Sequence, residues 1–183
     1  MKRIFAMLLA AFLLLGLAGC DGAKETLGRS IGGVSAVNGR AEGYVGDTMH
    51  TAFFDFTVES AEFVEEYAGY VPAEGKALLD TVFTIKDTYG DDLPIYHTDF
   101  QIMWGDGEQD FGYGLTGLED ETVLPEELIM NKRETVTYHI VYEVPADARE
   151  FTIGYIEIYY DETQGDEMHE GDLFLVNFKR EGA

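Results

Sequence analysis

The sequence predicts an all-β protein, an antiparallel β-sandwich of about seven to eight strands, carried behind an export signal and a flexible tether. Three observations predict it. Large apolar residues alternate with polar ones in short runs, the period of a half-buried strand. Twenty-one of the aromatic residues fall between Asp47 and Lys179. The four prolines, Pro72, Pro94, Pro125 and Pro145, fall between those runs or at their ends, where a missing N–H costs no ladder bond.

Taken in order, Phe54, Phe56 and Val58 alternate with Asp55, Thr57 and Glu59. After Ser60 the phase slips, and Ala61, Phe63 and Tyr67 continue on odd numbers. A slip of one residue flips every later side chain, so a β-bulge is expected near Glu59-Ser60. Leu79, Phe83 and Ile85 mark a second strand. Tyr96, Phe100, Ile102 and Trp104 mark a third, with His97, Asp99 and Gln101 on its polar phase. Phe111, Tyr113 and Leu115 alternate with glycines. Val136, Tyr138, Ile140, Tyr142 and Val144 form the clearest run. Phe151 to Tyr160 is apolar on both faces and is expected to lie centrally. Phe174, Val176 and Phe178 close the set. One helical turn is expected over Glu126–Lys132. Without crossover helices, short and evenly spaced strands pack as a sandwich. A single core suffices for about 135 residues.

The first nineteen residues read differently. Lys2 and Arg3 precede an uncharged apolar run from Ile4 to Leu15, and the small residues Gly16 to Gly19 follow. A basic start, an apolar centre and a small-residue end define a secretory signal. Leu17-Ala18-Gly19-Cys20 resembles the bacterial lipobox. The resemblance implies signal-peptidase recognition through Leu17, Ala18 and Gly19 and a diacylglycerol on Cys20. Cys20 is the sole cysteine of the chain, so no internal disulfide can form. Residues 20–46 hold seven glycines and the single aromatic Tyr44, and read as a lipidated N-terminus with a Gly-rich tether reaching roughly 25–30 Å. Residues 47–183 form the folded domain.

Charge narrows the partners. Net charge is −23, and loss of Lys2 and Arg3 with the signal makes the remainder about −25. Nucleic acid is excluded, because its binding rests on Lys and Arg neutralising phosphates. Anionic lipid repels such a chain, so membrane association is expected through acyl chains on Cys20, two of which hold stably. The expected location is the extracytoplasmic face of the cell membrane. An unidentified protein or small ligand is the remaining partner.

At this point the residues carry a family resemblance. Asp47 through Phe56, Tyr70-Val71-Pro72 with Glu74-Gly75-Lys76, Thr84-Ile85-Lys86-Asp87, Asp99-Phe100-Gln101-Ile102 with Asp106-Gly107, and Tyr142-Glu143-Val144-Pro145 look like one bacterial family. It is the immunoglobulin-like domain of unknown function found on secreted and lipid-anchored proteins, similar to the mycobacterial immunoprotective extracellular antigens. The resemblance spans most of residues 47–160. It implies an immunoglobulin-like sandwich without assigned catalysis. Asp87 stands where that family usually has asparagine.

Candidate chemistry is sparse. Asp161, Glu162, Asp166, Glu167, Glu170 and Asp172 place six carboxylates in twelve residues, hard oxygen ligands suited to Ca²⁺, against the simpler reading of a solvated charged loop. Asp106, Glu108 and Asp110 offer a smaller set, but Phe111 stands where a calcium loop needs glycine, and a plain turn accounts for them. Zinc needs three or four ligands, and His50, His97, His139 and His169 show no such spacing. No Gly-x-Ser-x-Gly elbow occurs, and no enzymatic activity is expected. Tyr96, Trp104, Tyr155, Tyr159 and Tyr160 exceed what one core requires, which suits a sugar- or protein-binding face as well as a cysteine-free core. The leading expectation is a membrane-anchored, non-catalytic binding domain, followed by a calcium- or carbohydrate-binding surface protein, then a hydrolase.

Overall fold

The computed structural model describes residues 32–160 and 168–180. Twelve strands lie among them: β1 (Gly33–Ser35), β2 (Arg40–Tyr44), β3 (Thr48–His50), β4 (Phe54–Val64), β5 (Lys76–Asp87), β6 (Leu93–Tyr96), β7 (Gln101–Met103), β8 (Phe111–Gly112), β9 (Glu127–Met130), β10 (Thr135–Pro145), β11 (Glu150–Tyr160) and β12 (Met168–Lys179). A single 3₁₀ turn, His97–Asp99, separates β6 from β7. One sheet has the order β1-β3-β4-β5-β10, a second β2-β12-β11-β7-β8, and β6 pairs with β9 as a short ribbon. The chain is an all-β sandwich.

Period-two patterning makes the core. Phe54, Phe56 and Val58 of β4, Phe83 and Ile85 of β5, and Ile140, Tyr142 and Val144 of β10 point inward from the first sheet. Phe151, Ile153 and Tyr155 of β11 and Phe174 and Val176 of β12 meet them from the second. Phe100 stands between the layers. Its ring centroid lies 4.8 Å from that of Phe83, 5.3 Å from Phe56 and 5.8 Å from Tyr155. The Tyr142 hydroxyl, wholly buried, donates to the Phe100 carbonyl at 3.2 Å, so the one polar atom of that side chain is satisfied. Burial also pushes the Tyr142 hydroxyl pKa far up. The expected bulge is present: Val58 pairs with Phe83 and Ser60 with Val82, leaving Glu59 unpaired. β11 lies between β12 and β7, the central place expected for it.

Five features differ from the sequence expectations. Strands number twelve, because several are only two to five residues long and too short to show a period. The sheets are mixed: β1 pairs with β3 in parallel, and so does β2 with β12. The tether expected over residues 20–46 is structured from Gly33 onward, and the compact unit begins there. Asn38 and Gly39 both take positive φ, 55° and 84°, and turn the chain tightly from β1 to β2. Alternation over β2 is hidden because Ala41 and Gly43 supply its buried face without large side chains. Residues 127–130 form β9 rather than a helical turn, since Met130 fills the core opposite Leu93. Finally, the run from Tyr96 to Trp104 is broken by the 3₁₀ turn, and Pro94 lies within β6, in a two-stranded ribbon that tolerates the missing N–H.

Loop residues finish the edges. The Leu115 N–H donates to the Val141 carbonyl at 2.7 Å and the His139 N–H to the Thr122 carbonyl at 2.8 Å, so the outer edge of β10 is covered rather than left as a free template.

Candidate functional site

The sandwich opens at one end into a pocket of about 460 Å³, within the range of ordinary small-molecule sites. Phe54 of β4 and Tyr155 of β11 line it from opposite sheets, with ring centroids 4.8 Å apart. Leu93, Pro94 and Tyr96 of β6 supply one side. Ile156 and Ile158 of β11 with Met168 of β12 supply another. Phe53 completes the rim, held edge-on by Tyr89 at 5.6 Å. The ribbon positions these groups: Ile95 and Met130 are buried, which leaves the alternate residues Pro94 and Tyr96 beside the pocket.

Asp99 is the single carboxylate in this lining among the described residues. It belongs to the 3₁₀ turn, and its Oδ2 accepts the backbone N–H of Tyr96 at 2.8 Å. No other hydrogen bond to its carboxylate occurs among the described residues. Desolvation by burial raises its pKa, offset in part by the Tyr96 N–H and by nearby His97. The Tyr155 hydroxyl is pushed up as well, mainly by burial and further by the charges of Asp99 and Glu157. The Tyr96 hydroxyl donates to Glu127 Oε1 at 3.1 Å, which ties the rim to β9.

Glu157 lies behind this wall. It is buried, yet both of its oxygens are engaged. Oε1 accepts the Ala52 N–H at 2.6 Å and Oε2 accepts the Asp172 N–H at 3.2 Å. The β11–β12 register shifts here, so that Gly171 and Asp172 together oppose Glu157. The carboxylate therefore links the β3–β4 turn to the bulge and fixes the strand ends that carry Ile156, Ile158 and Met168.

The sequence-derived candidates fall elsewhere. Leu17, Ala18, Gly19 and Cys20 lie outside the described residues, as do Asp161, Glu162, Asp166 and Glu167. Glu170 is an exposed residue of β12 paired with Ile158, and Asp172 is the donor to Glu157. Among the described residues no three His, Cys, Asp or Glu side chains converge as metal ligands. Asp110 closes its own turn, accepting the Gly107 N–H at 3.0 Å while its N–H donates to the Gly107 carbonyl. The histidines are dispersed. His50 lies 2.9 Å from Asp55 and His139 lies 2.8 Å from Asp80. His97 lies in the 3₁₀ turn, and His169 stacks on Tyr159 at 5.9 Å. Of the surplus aromatics, Tyr155 is core and Tyr96 is rim; Tyr159 remains exposed. Asp99 was legible only as a polar-phase residue. The signal that could have found it is its place three residues after Tyr96, where a short side chain caps a turn.

Among the described residues no helix is long and apolar enough to cross a membrane. No protein-family model matches the chain, and no curated protein does. Several solved structures are similar to it. A β-sandwich protein of Clostridium difficile 630, described as uncharacterized, is 18% identical, with 75% of this chain and 93% of that one covered and a TM-score of 0.47. A candidate lipoprotein of Bacillus subtilis, YcdA, is 15% identical over 71% of this chain and 38% of its own, with a TM-score of 0.49. The B. subtilis YjhA protein is 15% identical over 74% and 98% of the two chains, also at 0.49.

Proposed function

We propose that this protein is a lipid-anchored extracytoplasmic lipoprotein that presents a non-catalytic binding domain, and that the pocket at the open end of the sandwich is its binding site. The pocket carries the reading: an apolar concavity with one carboxylate is built for contact and orientation. Among the described residues its lining pairs no nucleophile with a base, which favours binding over turnover. The anchoring half rests on Leu17-Ala18-Gly19-Cys20 behind the apolar run and on a net charge of −23, which leaves acyl chains as the route to a membrane. The immunoglobulin-like relationship, and kinship with the mycobacterial extracellular antigens, belong to the same proposal and rest on the motifs quoted above.

Two measurements test it. A fragment library screened by NMR against the full chain should shift the methyl signals of Leu93, Ile156, Ile158 and Met168 together. A folded chain with no fragment acting on these four would overturn the binding site. Cys20→Ala should leave an unprocessed or released precursor in cell fractionation. A processed, membrane-bound Cys20→Ala protein would overturn the anchor.

A further inference from the structure

We infer that the pocket takes an organic cation: a ligand with an ammonium head against Asp99 and a hydrocarbon or aromatic body against Phe53, Tyr96, Ile156 and Ile158. The inference rests on the pocket being a binding site and goes on to name the chemistry of its occupant.

Three observations carry it. First, the lining is mostly apolar, and its one formal charge among the described residues is negative. Second, that charge is underpaired. Asp99 is half-buried and accepts a single backbone N–H. A neutral apolar occupant would strip the remaining water from the carboxylate and offer nothing in return, which is costly. An anionic occupant would be repelled by Asp99, by Glu157 behind Tyr155 and by the field of a chain with 35 acidic and 12 basic residues. An ammonium group supplies the missing donors and neutralises the charge, the strong form of a hydrogen bond. Third, aromatic residues flank the carboxylate. Tyr96 and Tyr155 line the same space as Asp99, with Phe53 and Phe54 beside them. Ring faces near a desolvated cation add attraction that an alcohol or an amide does not receive. Among the described residues no lysine or arginine lies in the lining to compete for Asp99.

The test is a calorimetric titration of the full chain, held in nanodiscs of zwitterionic lipid, with empty nanodiscs as blank. The probes are 2-phenylethylammonium, 2-phenylethanol and 3-phenylpropanoate. The expected result is saturable binding of the ammonium, at least about ten-fold tighter than the alcohol, and none of the carboxylate. Asp99→Asn keeps an oxygen for the Tyr96 N–H and should bring the ammonium down to the level of the alcohol. Tyr96→Leu, a change at an exposed rim position, should weaken the ammonium several-fold more than the alcohol. An alcohol that binds as tightly as the ammonium, with Asp99→Asn altering neither, would overturn the cation and leave the binding site standing. Saturable binding of none of the three by a folded chain would overturn both.

Discussion

Glu157 and Gly171 face each other so closely that residue 171 can have no side chain: a Cβ there would stand 2.8 Å from both the Cβ and the Oε2 of Glu157. The bulge that places Gly171 and Asp172 opposite Glu157 thus depends on glycine for space, not for a positive φ. Gly171→Ala is expected to force Glu157 off Ala52 or to shift β12, at a cost of about 1–3 kcal/mol. Urea denaturation measures it. A midpoint equal to that of the parent chain would show that the bulge has room to spare.

Asp87 is a second buried carboxylate spent on backbone. Its Oδ1 accepts the Tyr89 N–H at 3.0 Å, and its Oδ2 accepts the Arg133 N–H at 2.5 Å from a loop 46 residues away. Asp87→Ala leaves these donors unsatisfied, and the expected loss is about 2–4 kcal/mol. Asp87→Asn retains only one acceptor oxygen and should cost less than alanine. The order of the two unfolding midpoints decides the matter: alanine no worse than asparagine would deny the acceptor role.

Asp99 gives the pH dependence. Its pKa in the folded chain is raised, chiefly by burial, above the value in the unfolded chain. The folded state therefore binds the proton more tightly. Stability from this group is complete below the unfolded pKa and is lost as pH rises through the folded one. Asp99→Asn, which cannot ionise, should melt above the parent at pH 7, with the gap closing below about pH 4. A gap that widened in acid would contradict the sign. An organic cation in the pocket should raise the parent's melting temperature and not that of Asp99→Asn.

The N-terminal strands give a clean deletion test. Removing residues through 32 should leave the melting temperature within a degree or two, whereas removing residues through 46 strips β1 and β2 from their parallel partners and uncovers Phe174 and Val176. The second deletion is expected to cost at least about 2 kcal/mol, or to prevent folding. Equal stability of the two would return residues 33–46 to the status of a tether.

The same comparison shows where sequence patterning stops. Strands β4 and β10 were legible because Phe54-Phe56-Val58 and the five-residue ladder from Val136 to Val144 present large side chains at period two, β11 because Phe151–Tyr160 is a short run apolar on both faces, and the phase slip after Ser60 located a bulge. Short strands were harder. Gly33–Ser35 carries too few side chains for a period, and β2 packs through Ala41 and Gly43, whereas the run read from Phe111 to Leu115 survives as a strand only at Phe111–Gly112. The pocket was hidden for a different reason. Its members come from the β3–β4 turn, β4, β6, β11, β12 and the 3₁₀ turn, and only the closing of the sandwich brings Asp99 beside Tyr155. Glu157 carries no sequence signal of its own, since its partners Ala52 and Asp172 are set by topology alone.

The parallel pairing at the margins of both sheets has a mechanical meaning. β2 begins at Arg40 beside Leu173, and β12 runs on in the same direction to Lys179. A pull on the N-terminal side of Gly33 against Arg180 drags β2 and β12 past each other lengthwise, so their bonds share the load and must yield together. Pulling on Glu150 and Lys179, neighbours at the open end of an antiparallel pair, parts the bonds one at a time. Single-molecule force spectroscopy should record a markedly higher rupture force for the first attachment than for the second. Pulled from the N-terminal side of Gly33, the domain is braced in the direction in which it is stiffest.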